Sequence, residues 1–258
     1  MRILVKLGGA LLDDPATRAR LAAELAGLAE AGDQVTVVHG GGKQMTRYLA
    51  ERGVESTFVN GLRVSTPQVM DAVLKVFAGT VNHELVAALV AAGANAVGLT
   101  GIDAGLVLAE PLGEEYGAVG RPTKAEGRLL RHLCDGGFMP VVACVAGDGR
   151  GSILNVNADQ MATACAIGFH ADRVFLLTDV DGVKDTSGAI MTELTPVQMI
   201  ALIRDGVATG GMQAKLEAAH SALRQGVGEI WIAPGAQPGI LSMLRAGEFI
   251  GTRLIDKK

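Results

Sequence analysis

Aromatic residues are scarce in this sequence, at only 3% of its 258 residues, and no basic run interleaved with aromatics occurs. With a net charge of −4, the chain lacks the positive face that nucleic-acid binding requires. Hydrophobic residues nonetheless make up 49%, which predicts a sizeable core of aliphatic side chains. The most apolar stretch, 85–99, is shorter than the ~20 residues that a membrane-spanning helix needs. We therefore expect neither nucleic acid nor a membrane as a partner.

Cysteine is also scarce, and its three positions are widely spaced. Because Cys134, Cys144 and Cys165 form no CxxC pair, we interpret them as free thiols in a reducing compartment. The five histidines form no ligand cluster and pair with no serine or cysteine nucleophile, so neither a zinc site nor a catalytic triad is predicted. The N-terminus enters an apolar strand without a signal-peptide pattern. These features favour a cytoplasmic location.

Short apolar runs alternate with longer helical patterns along the chain. The predicted strands are 2–7, 34–38, 95–99, 138–145, 173–177 and 229–233. The predicted helices are 15–31, 42–52, 67–92, 124–134, 158–169, 196–204, 212–225 and 239–245. A hairpin or irregular excursion is expected over 106–121. This alternation predicts an α/β fold with a mainly parallel sheet and helices on both faces.

Unusual segments follow three of the predicted strands, at 5–9, 38–42 and 177–182. In open α/β sheets, ligands bind beyond the carboxyl ends of the strands. Two of these segments are glycine-rich and precede helices, so their backbone N–H groups can face an anion. Tight turns are the alternative, although two such loops beside a lysine favour phosphate binding. Asp179 and Asp181 in the third segment could ligate a metal or shape a turn. Neither the P-loop pattern nor GxGxxG occurs, which counts against P-loop enzymes and dinucleotide dehydrogenases.

Two lysines and one aspartate are placed unusually. Lys6 interrupts an apolar strand, where a lysine is costly unless it is paired or lies on a solvated edge. Lys215 falls near the start of a predicted helix, where a cation opposes the helix dipole. A phosphate there would offset the cost, and a solvated surface lysine is the alternative. Asp159 follows the predicted N-cap Asn157, so it either complements the dipole or positions the two lysines.

Taken together, these segments resemble the amino acid kinase family. The resemblance runs from Lys6 to about Thr252, essentially the whole chain. It rests on the segments 6–9, 39–42, 60–65, 155–159 and 179–183, and on 211–212 with Lys215. The segments 60–65 and 155–159 are more specific, because they resemble those of members that phosphorylate N-acetylglutamate.

The resemblance implies a three-layer αβα sandwich around a mainly parallel central sheet. It implies two lobes on one continuous sheet, with the amino acid bound by 1–170 and ATP by 171–258. The implied activity is ATP-dependent phosphorylation of the γ-carboxylate of N-acetyl-L-glutamate in arginine biosynthesis, with ATP and Mg²⁺ as cofactors and no assigned protein ligand for the metal. Acetylaminoadipate or another acid handled within the family is the alternative substrate. A non-catalytic sensor on this scaffold would be expected to lose a lysine or the aspartate.

Roles for individual residues also follow from the resemblance. It implies that the transferring phosphoryl group is stabilised by Lys6 and Lys215, and that both are organised by Asp159. It implies that acetylglutamate is bound by Gly41, Gly42, Arg63 and Asn155, with Arg63 on a carboxylate. It implies that ATP is bound by Gly8, Gly9, Asp179, Val180, Asp181, Gly182, Val183, Lys184, Val207, Ala208 and Thr209. Two small departures are Ser65, where the family usually has threonine, and Gly211, where an acidic residue is frequent.

Chemistry supports a carboxylate as the acceptor. A γ-carboxyl group has a pKa of ~4.3, so it is ionised at neutral pH and needs no general base. A hydroxyl acceptor would need a positioned base, whereas the sequence offers lysines and backbone donors. The resemblance further implies a homodimer, with the helix over 69–92 as a candidate surface. It also implies insensitivity to arginine, because a strand that begins at residue 2 leaves no room for the extra N-terminal helix of arginine-sensitive members.

Overall fold

An eight-stranded sheet runs through the middle of the computed structural model, which describes residues 1–256. The last two residues of the predicted C-terminal lobe lie outside this range. The strands are β1 Arg2–Leu7, β2 Gln34–His39, β3 Phe58–Val59, β4 Leu62–Arg63, β5 Ala96–Thr100, β6 Val107–Pro111, β7 Val119–Ala125, β8 Met139–Ala143, β9 Val145–Gly147, β10 Ile153–Val156, β11 Arg173–Thr178, β12 Glu193–Leu194, β13 Glu229–Pro234 and β14 Thr252–Ile255. The helices are α1 Gly9–Asp13, α2 Pro15–Glu30, α3 Gly42–Ala50, α4 Pro67–Ala91, α5 Arg128–Asp135, α6 Ala158–Phe169, α7 Pro196–Arg204, α8 Gly210–Arg224 and α9 Ile240–Ala246.

The strand order of the large sheet is β12-β14-β13-β11-β1-β2-β8-β5. All neighbouring pairs are parallel except β13 with β14, which are antiparallel. The central strands are buried along nearly their whole length, as expected when helices cover both faces of a parallel sheet. This confirms the predicted α/β sandwich with a mainly parallel sheet.

The boundary predicted near residue 170 falls between α6 and β11. Strand β11 pairs with β1, from Ile3↔Arg173 to Leu7↔Leu177. One sheet therefore runs through both predicted lobes, and residues from both halves of the chain can meet at its edge.

A small closed barrel of β6, β7, β9 and β10 stands beside the large sheet. Strands β6 and β7 are antiparallel, which confirms the predicted hairpin. The helix predicted over 124–134 is wrong at its start, because Lys124 and Ala125 belong to β7 and the helix begins at Arg128. The turn between them brings Gly127 against α6, where a Cβ would lie 1.9 Å from the carbonyl oxygen of Gly168.

Several short elements carry too little pattern to be predicted from the sequence. They include α1, the β3–β4 hairpin, β10, β12 and β14. The single strand predicted over 138–145 is divided into β8 and β9, which belong to different sheets. Of these short elements, β10 leads directly into α6.

The helix α4 is continuous over 25 residues, with a π-helical segment at Leu74–Val81. Its length and composition alone would suit a membrane span, although a helix of this kind is weak support for one. It contributes Val69, Val73, Val76, Leu85 and Leu89 to the hydrophobic core. We interpret α4 as a helix that packs on the core of the fold.

Candidate active site

The loops that follow β1, β2 and β11 lie side by side at one edge of the large sheet. Strand β1 stands between the other two, with Leu7 paired to both His39 and Leu177. The backbone N–H of Gly8 donates to the carbonyl of Leu177 at 3.1 Å, and that of Gly40 donates to the carbonyl of Leu7 at 3.5 Å. The three segments singled out from the sequence are therefore neighbours in space.

The two glycine-rich loops touch each other through their backbones. A Cβ on Gly9 would lie 2.7 Å from the backbone nitrogen of Gly42, so only glycine allows this approach. Helix α1 begins at Gly9 and α3 at Gly42, and neither start has a side-chain cap. The first N–H groups of a helix are free to bind an anion when no cap satisfies them. Both helix starts thus offer donors to the same space.

A buried carboxylate joins the two lysines. The Nζ of Lys6 lies 2.9 Å from Oδ1 of Asp159, and the Nζ of Lys215 lies 3.1 Å from Oδ2. Only 7%, 6% and 15% of the side-chain surface is exposed for Lys6, Asp159 and Lys215. The fold therefore brings together the three residues whose positions in the sequence are unusual.

This geometry excludes the alternatives left open for the lysines. Lys6 lies on the central strand β1 and pairs with neighbours on both sides, so it is not a solvated edge residue. Lys215 lies in the second turn of α8, because the helix begins two residues earlier than predicted, and it is paired instead of free in solvent. Both ammonium groups converge on one carboxylate from different elements.

The start of α6 fixes the position of Asp159. The side chain of Asn157 caps the helix by accepting hydrogen bonds from the backbone N–H groups of Asp159 and Gln160, at 2.9 and 3.2 Å. This confirms the predicted N-cap. Asp159 lies in the first turn of α6, where a negative charge is also favoured by the helix dipole.

The charges of this cluster do not cancel. Burial opposes the ionised form of Asp159, but the ammonium groups of Lys6 and Lys215 hold its pKa below the ordinary value of 3.8. The carboxylate thus stays ionised at neutral pH. Two cations facing one anion leave net positive charge in a site shielded from water, where electrostatic attraction is stronger than in solvent. Such a site attracts an anionic group.

A cavity of about 230 Å³ lies next to this cluster. Four residues predicted to bind the substrate line it, together with Phe58 and Phe77: Gly41, Gly42, Arg63 and Asn155. The guanidinium of Arg63 donates to the hydroxyls of Ser56 and Thr46, the latter at 2.8 Å, and lies over the ring of Phe58. The cavity has room for a small acid, with a cation at one wall.

The residues predicted to bind the nucleotide are more dispersed. Gly8 and Gly9 lie in the glycine-rich loop after β1. Asp179 follows the neighbouring strand β11, and its side chain accepts a hydrogen bond from the Thr178 hydroxyl at 3.0 Å. Asp181 and Lys184 are exposed, as is Val180.

Two of these residues are enclosed by the protein. The side chains of Val183 and Ala208 are buried, and their backbone N–H groups donate inside the protein, to the hydroxyl of Thr252 and to the carbonyl of Leu202. Within residues 1–256, no hydrogen bond or ion pair joins the segment from Val207 to Thr209 to the loop after β11. The hydrogen bonds of the described residues therefore do not connect these two segments.

The residues that pack against the second glycine-rich loop from the core side were not predicted from the sequence. A Cβ on Gly41 would lie 2.9 Å from the ring of Phe77 in the π-helical segment of α4. His39 is fully buried, and its ring contacts the Gly40 carbonyl at 3.0 Å and the Asn82 side chain at 2.9 Å. Burial lowers the pKa of His39 to about 4, so the ring is neutral. Only the break in hydropathy at Asn82 within an apolar helix could have signalled this support.

Two uncapped glycine-rich helix starts and a pair of lysines on one carboxylate lie together at the carboxyl edge of a parallel sheet, the usual place of ligand sites in α/β proteins. The sequence profile of the amino acid kinase family matches residues 1–234. The chain therefore belongs to the amino acid kinase family.

Relatives match the chain along nearly its full length. Acetylglutamate kinase of Solibacter usitatus is 60% identical over 99% of both chains. Acetylglutamate kinase of Koribacter versatilis is 40% identical over 99% of both chains. Among solved structures, smu.665 from Streptococcus mutans is similar with a TM-score of 0.85 and 28% identity, over 99% of both chains.

The charge of Asp159 should contribute to stability in a pH-dependent way. Because its folded pKa lies below 3.8, its contribution is present above the unfolded pKa and is lost as the pH falls through the folded pKa. We expect Asp159→Asn to lower the free energy of unfolding most at neutral pH, with the difference from the wild type shrinking below about pH 4. Urea unfolding across this pH range measures the difference.

Asp205→Asn is the matched control, because Asp205 also pairs with a basic side chain, that of Arg204, but is exposed. Its effect should be small at every pH. A destabilisation by Asp159→Asn that did not change with pH would contradict the assignment of a buried, ionised carboxylate.

Proposed function

We propose that this chain transfers the γ-phosphoryl group of ATP to the γ-carboxylate of N-acetyl-L-glutamate. The product is N-acetyl-L-glutamyl 5-phosphate, and the reaction belongs to arginine biosynthesis. The observation that carries the proposal is the pairing of Lys6 and Lys215 on Asp159, next to two glycine-rich helix starts. Full-length relatives named acetylglutamate kinase support the choice of substrate.

The proposed reaction needs charge stabilisation more than proton transfer. The acceptor carboxylate is already ionised at neutral pH, so it attacks the γ-phosphorus directly. His39 is the histidine nearest the glycine-rich loops along the chain, but both its ring nitrogens are engaged inside the protein. It is therefore not a candidate base. Lys6 and Lys215 would stabilise the negative charge on the transferring group, while backbone donors of the loops fix its oxygens.

The cavity beside the loops suits the acceptor. In the proposed complex, Arg63 binds the α-carboxylate, and Asn155 offers its amide to the acetylated end of the substrate. Gly41 and Gly42 would leave room for the γ-carboxylate to approach the phosphoryl group. The half-buried guanidinium of Arg63 supports this role, because its burial lowers its pKa. An anion in contact would offset that cost.

ATP would approach from the side of β11. We propose that Gly8 and Gly9 contact its phosphates, and that the loop of Asp179 to Lys184 and the segment of Val207 to Thr209 hold the rest of the nucleotide. The neighbouring ends of β1 and β11 support this arrangement. Closure of this loop and this segment around the nucleotide would complete the site.

Mg²⁺ would enter as part of the nucleotide substrate. Among residues 1–256, no group of three or more histidine, cysteine or acidic side chains has the spacing of a metal site. Both carboxylate oxygens of Asp159 face lysines, so they are not free to ligate a metal. Mg²⁺ readily takes its ligands from phosphate oxygens and water, and we assign it no protein ligand.

Removal of Mg²⁺ should therefore stop the reaction without unfolding the protein. With excess EDTA we expect ADP release to fall to background, while the unfolding temperature measured without nucleotide stays unchanged. Restoring Mg²⁺ should restore turnover. A lower unfolding temperature in EDTA would point to a structural metal instead.

Substitution of either site lysine should lower turnover, whereas substitution of a surface lysine should not. We expect Lys6→Ala and Lys215→Ala each to lower kcat by about 10²–10³, since each removes a group that stabilises the transition state. ADP release with ATP and N-acetylglutamate measures the effect. Lys124→Ala, at an exposed position on β7, is the matched control and should leave kcat unchanged. Near-normal turnover in either site variant, with the fold intact, would contradict the proposed mechanism.

A homodimer is proposed from the edge of the large sheet. Strand β5 is the last strand of the sheet and pairs only with β8 among the described strands. An edge strand exposes unpaired N–H and C=O groups and favours pairing with another chain. Two large apolar side chains close to β5 in the sequence are exposed. They are Val90 on α4, at 55%, and Ile102 after β5, at 38%. A second copy of this chain would cover both.

Size-exclusion chromatography with light scattering tests the dimer. The wild type should have twice the mass of one chain, and Val90→Glu should shift the equilibrium toward the monomer because it buries a charge in the interface. Val197→Glu, on the exposed face of α7, should leave the dimer intact. A wild-type monomer at micromolar concentration would contradict the proposal.

A cytoplasmic location is proposed from the cysteines. All three are free and buried, and burial raises the pKa of Cys134 to about 11 and of Cys165 to about 12. Thiols kept protonated inside the core fit a reducing compartment. Cell fractionation tests this, and recovery of the enzyme outside the cytoplasmic fraction would contradict it.

A further inference from the structure

The hydroxyl of Ser65 lies between the two side chains that the proposed function assigns to the acceptor. Its Oγ accepts a hydrogen bond from Nδ2 of Asn155 at 3.0 Å and donates one to the backbone carbonyl of Arg63 at 3.1 Å. Ser65 is only 1% exposed. It lines none of the described walls of the acceptor cavity, so it does not itself meet the substrate.

The backbone of Ser65 is anchored to the loop before β7. Its N–H donates to the carbonyl of Tyr116 at 2.9 Å, and its carbonyl accepts from Ala118 at 2.8 Å. Gly117 between them has a φ of 61°, and a Cβ there would lie 2.6 Å from the Ser65 carbonyl oxygen. Ser65 thus occupies a place that the surrounding backbone fixes closely.

The same loop also holds the β3–β4 hairpin and β10. The side chain of Asn60, at the turn of the hairpin, donates to the hydroxyl of Tyr116 at 2.8 Å. The backbone N–H of Asn155 donates to the carbonyl of Ala118 at 2.9 Å. The hydrogen bond between the side chains of Asn155 and Ser65 links β10, which carries Asn155, to the chain that directly follows the β3–β4 hairpin, which carries Arg63.

We infer that Ser65 is a positioning residue that fixes the spacing between Arg63 and Asn155 and so sets the preference for an N-acetylated acid over the free amino acid. The inference rests on the proposed function, since it assumes that Arg63 and Asn155 grip the acceptor. One Nδ2 hydrogen of Asn155 is used by Ser65, which leaves the second hydrogen and Oδ1 for the substrate. With both side chains held at a fixed distance, an acid that lacks the acetyl group reaches Arg63 but leaves Asn155 without a partner, and it binds less well.

An isosteric pair of variants isolates the hydroxyl. Ser65→Thr keeps the hydroxyl, whereas Ser65→Val has the same shape as threonine without it. We expect Ser65→Val to raise the KM for N-acetylglutamate by about tenfold relative to Ser65→Thr, as for a buried amide left without its partner. The KM for ATP should change by less than about twofold, because the nucleotide surfaces do not contact Ser65.

The preference between acids is the second readout. The wild type should favour N-acetylglutamate over glutamate by about 100-fold or more in kcat/KM, because glutamate lacks the acetyl oxygen that the amide of Asn155 would bind. Ser65→Val should reduce this ratio severalfold, and Ser65→Thr should retain it. If the valine variant fails to fold by circular dichroism, Ser65→Ala compared with the wild type gives the same test.

A double mutant separates positioning from a merely structural role. If Ser65 acts through Asn155, then Ser65→Ala should change the acid preference of the wild type but not that of the Asn155→Ala variant. Equal KM values and equal acid preference in Ser65→Val and Ser65→Thr would overturn the inference, as would an undiminished effect of Ser65→Ala in the Asn155→Ala background. A wild type that phosphorylates neither acid would instead overturn the proposed function.

Discussion

The negative charge of Asp159 is the constraint on which the site depends. Lys6 and Lys215 approach the same buried point from β1 and α8, and two ammonium groups there would repel each other without the carboxylate between them. Burial alone would neutralise an isolated aspartate or lysine. Because the lysines hold the pKa of Asp159 below its ordinary value, the carboxylate stays ionised, and it faces two basic side chains. Those two side chains are what a phosphoryl group in transfer would meet.

The fold delivers these groups from distant parts of the chain. Lys6 comes from the first strand, Asp159 from the start of α6 in the first predicted lobe, and Lys215 from the second. The pairing of β1 with β11 joins the two lobes into one sheet, so the cluster lies where they meet. Close backbone contact between the two glycine-rich loops then completes the anion-binding edge. Helix α4 and the neutral His39 support the second loop from inside the core.

Much of this arrangement could be predicted from the sequence, because its signals are local. Lys6 stands out in an apolar strand, Asn157 stands before a helix, and alternating strands and helices give the α/β class. Long elements such as α2, α6 and α7 lie within one residue of their predicted bounds. The neighbouring ends of β1, β2 and β11 follow from the general placement of ligands at the carboxyl ends of parallel strands.

The features that could not be predicted depend on contacts between distant segments. Strand β7 continues through Lys124 and Ala125 because it pairs with β6, which overrides their local preference for helix. The place of Ser65 between Arg63 and Asn155 comes from a hairpin too short to show a pattern. The nucleotide residues of the two C-terminal segments stay unconnected in the described contacts, and their roles rest on the family resemblance.

In the proposed mechanism, a carboxylate accepts the phosphoryl group beside the paired lysines, and no base assists it. An acyl phosphate is the product of that reaction, and hydroxylamine converts it to a hydroxamate. The most direct test is to incubate the protein with ATP, Mg²⁺ and N-acetylglutamate and to assay for the hydroxamate, with N-acetylaspartate as a comparison acid. We expect hydroxamate in proportion to ADP from N-acetylglutamate and little from the shorter acid. ADP release without hydroxamate, or no turnover of N-acetylglutamate, would contradict it.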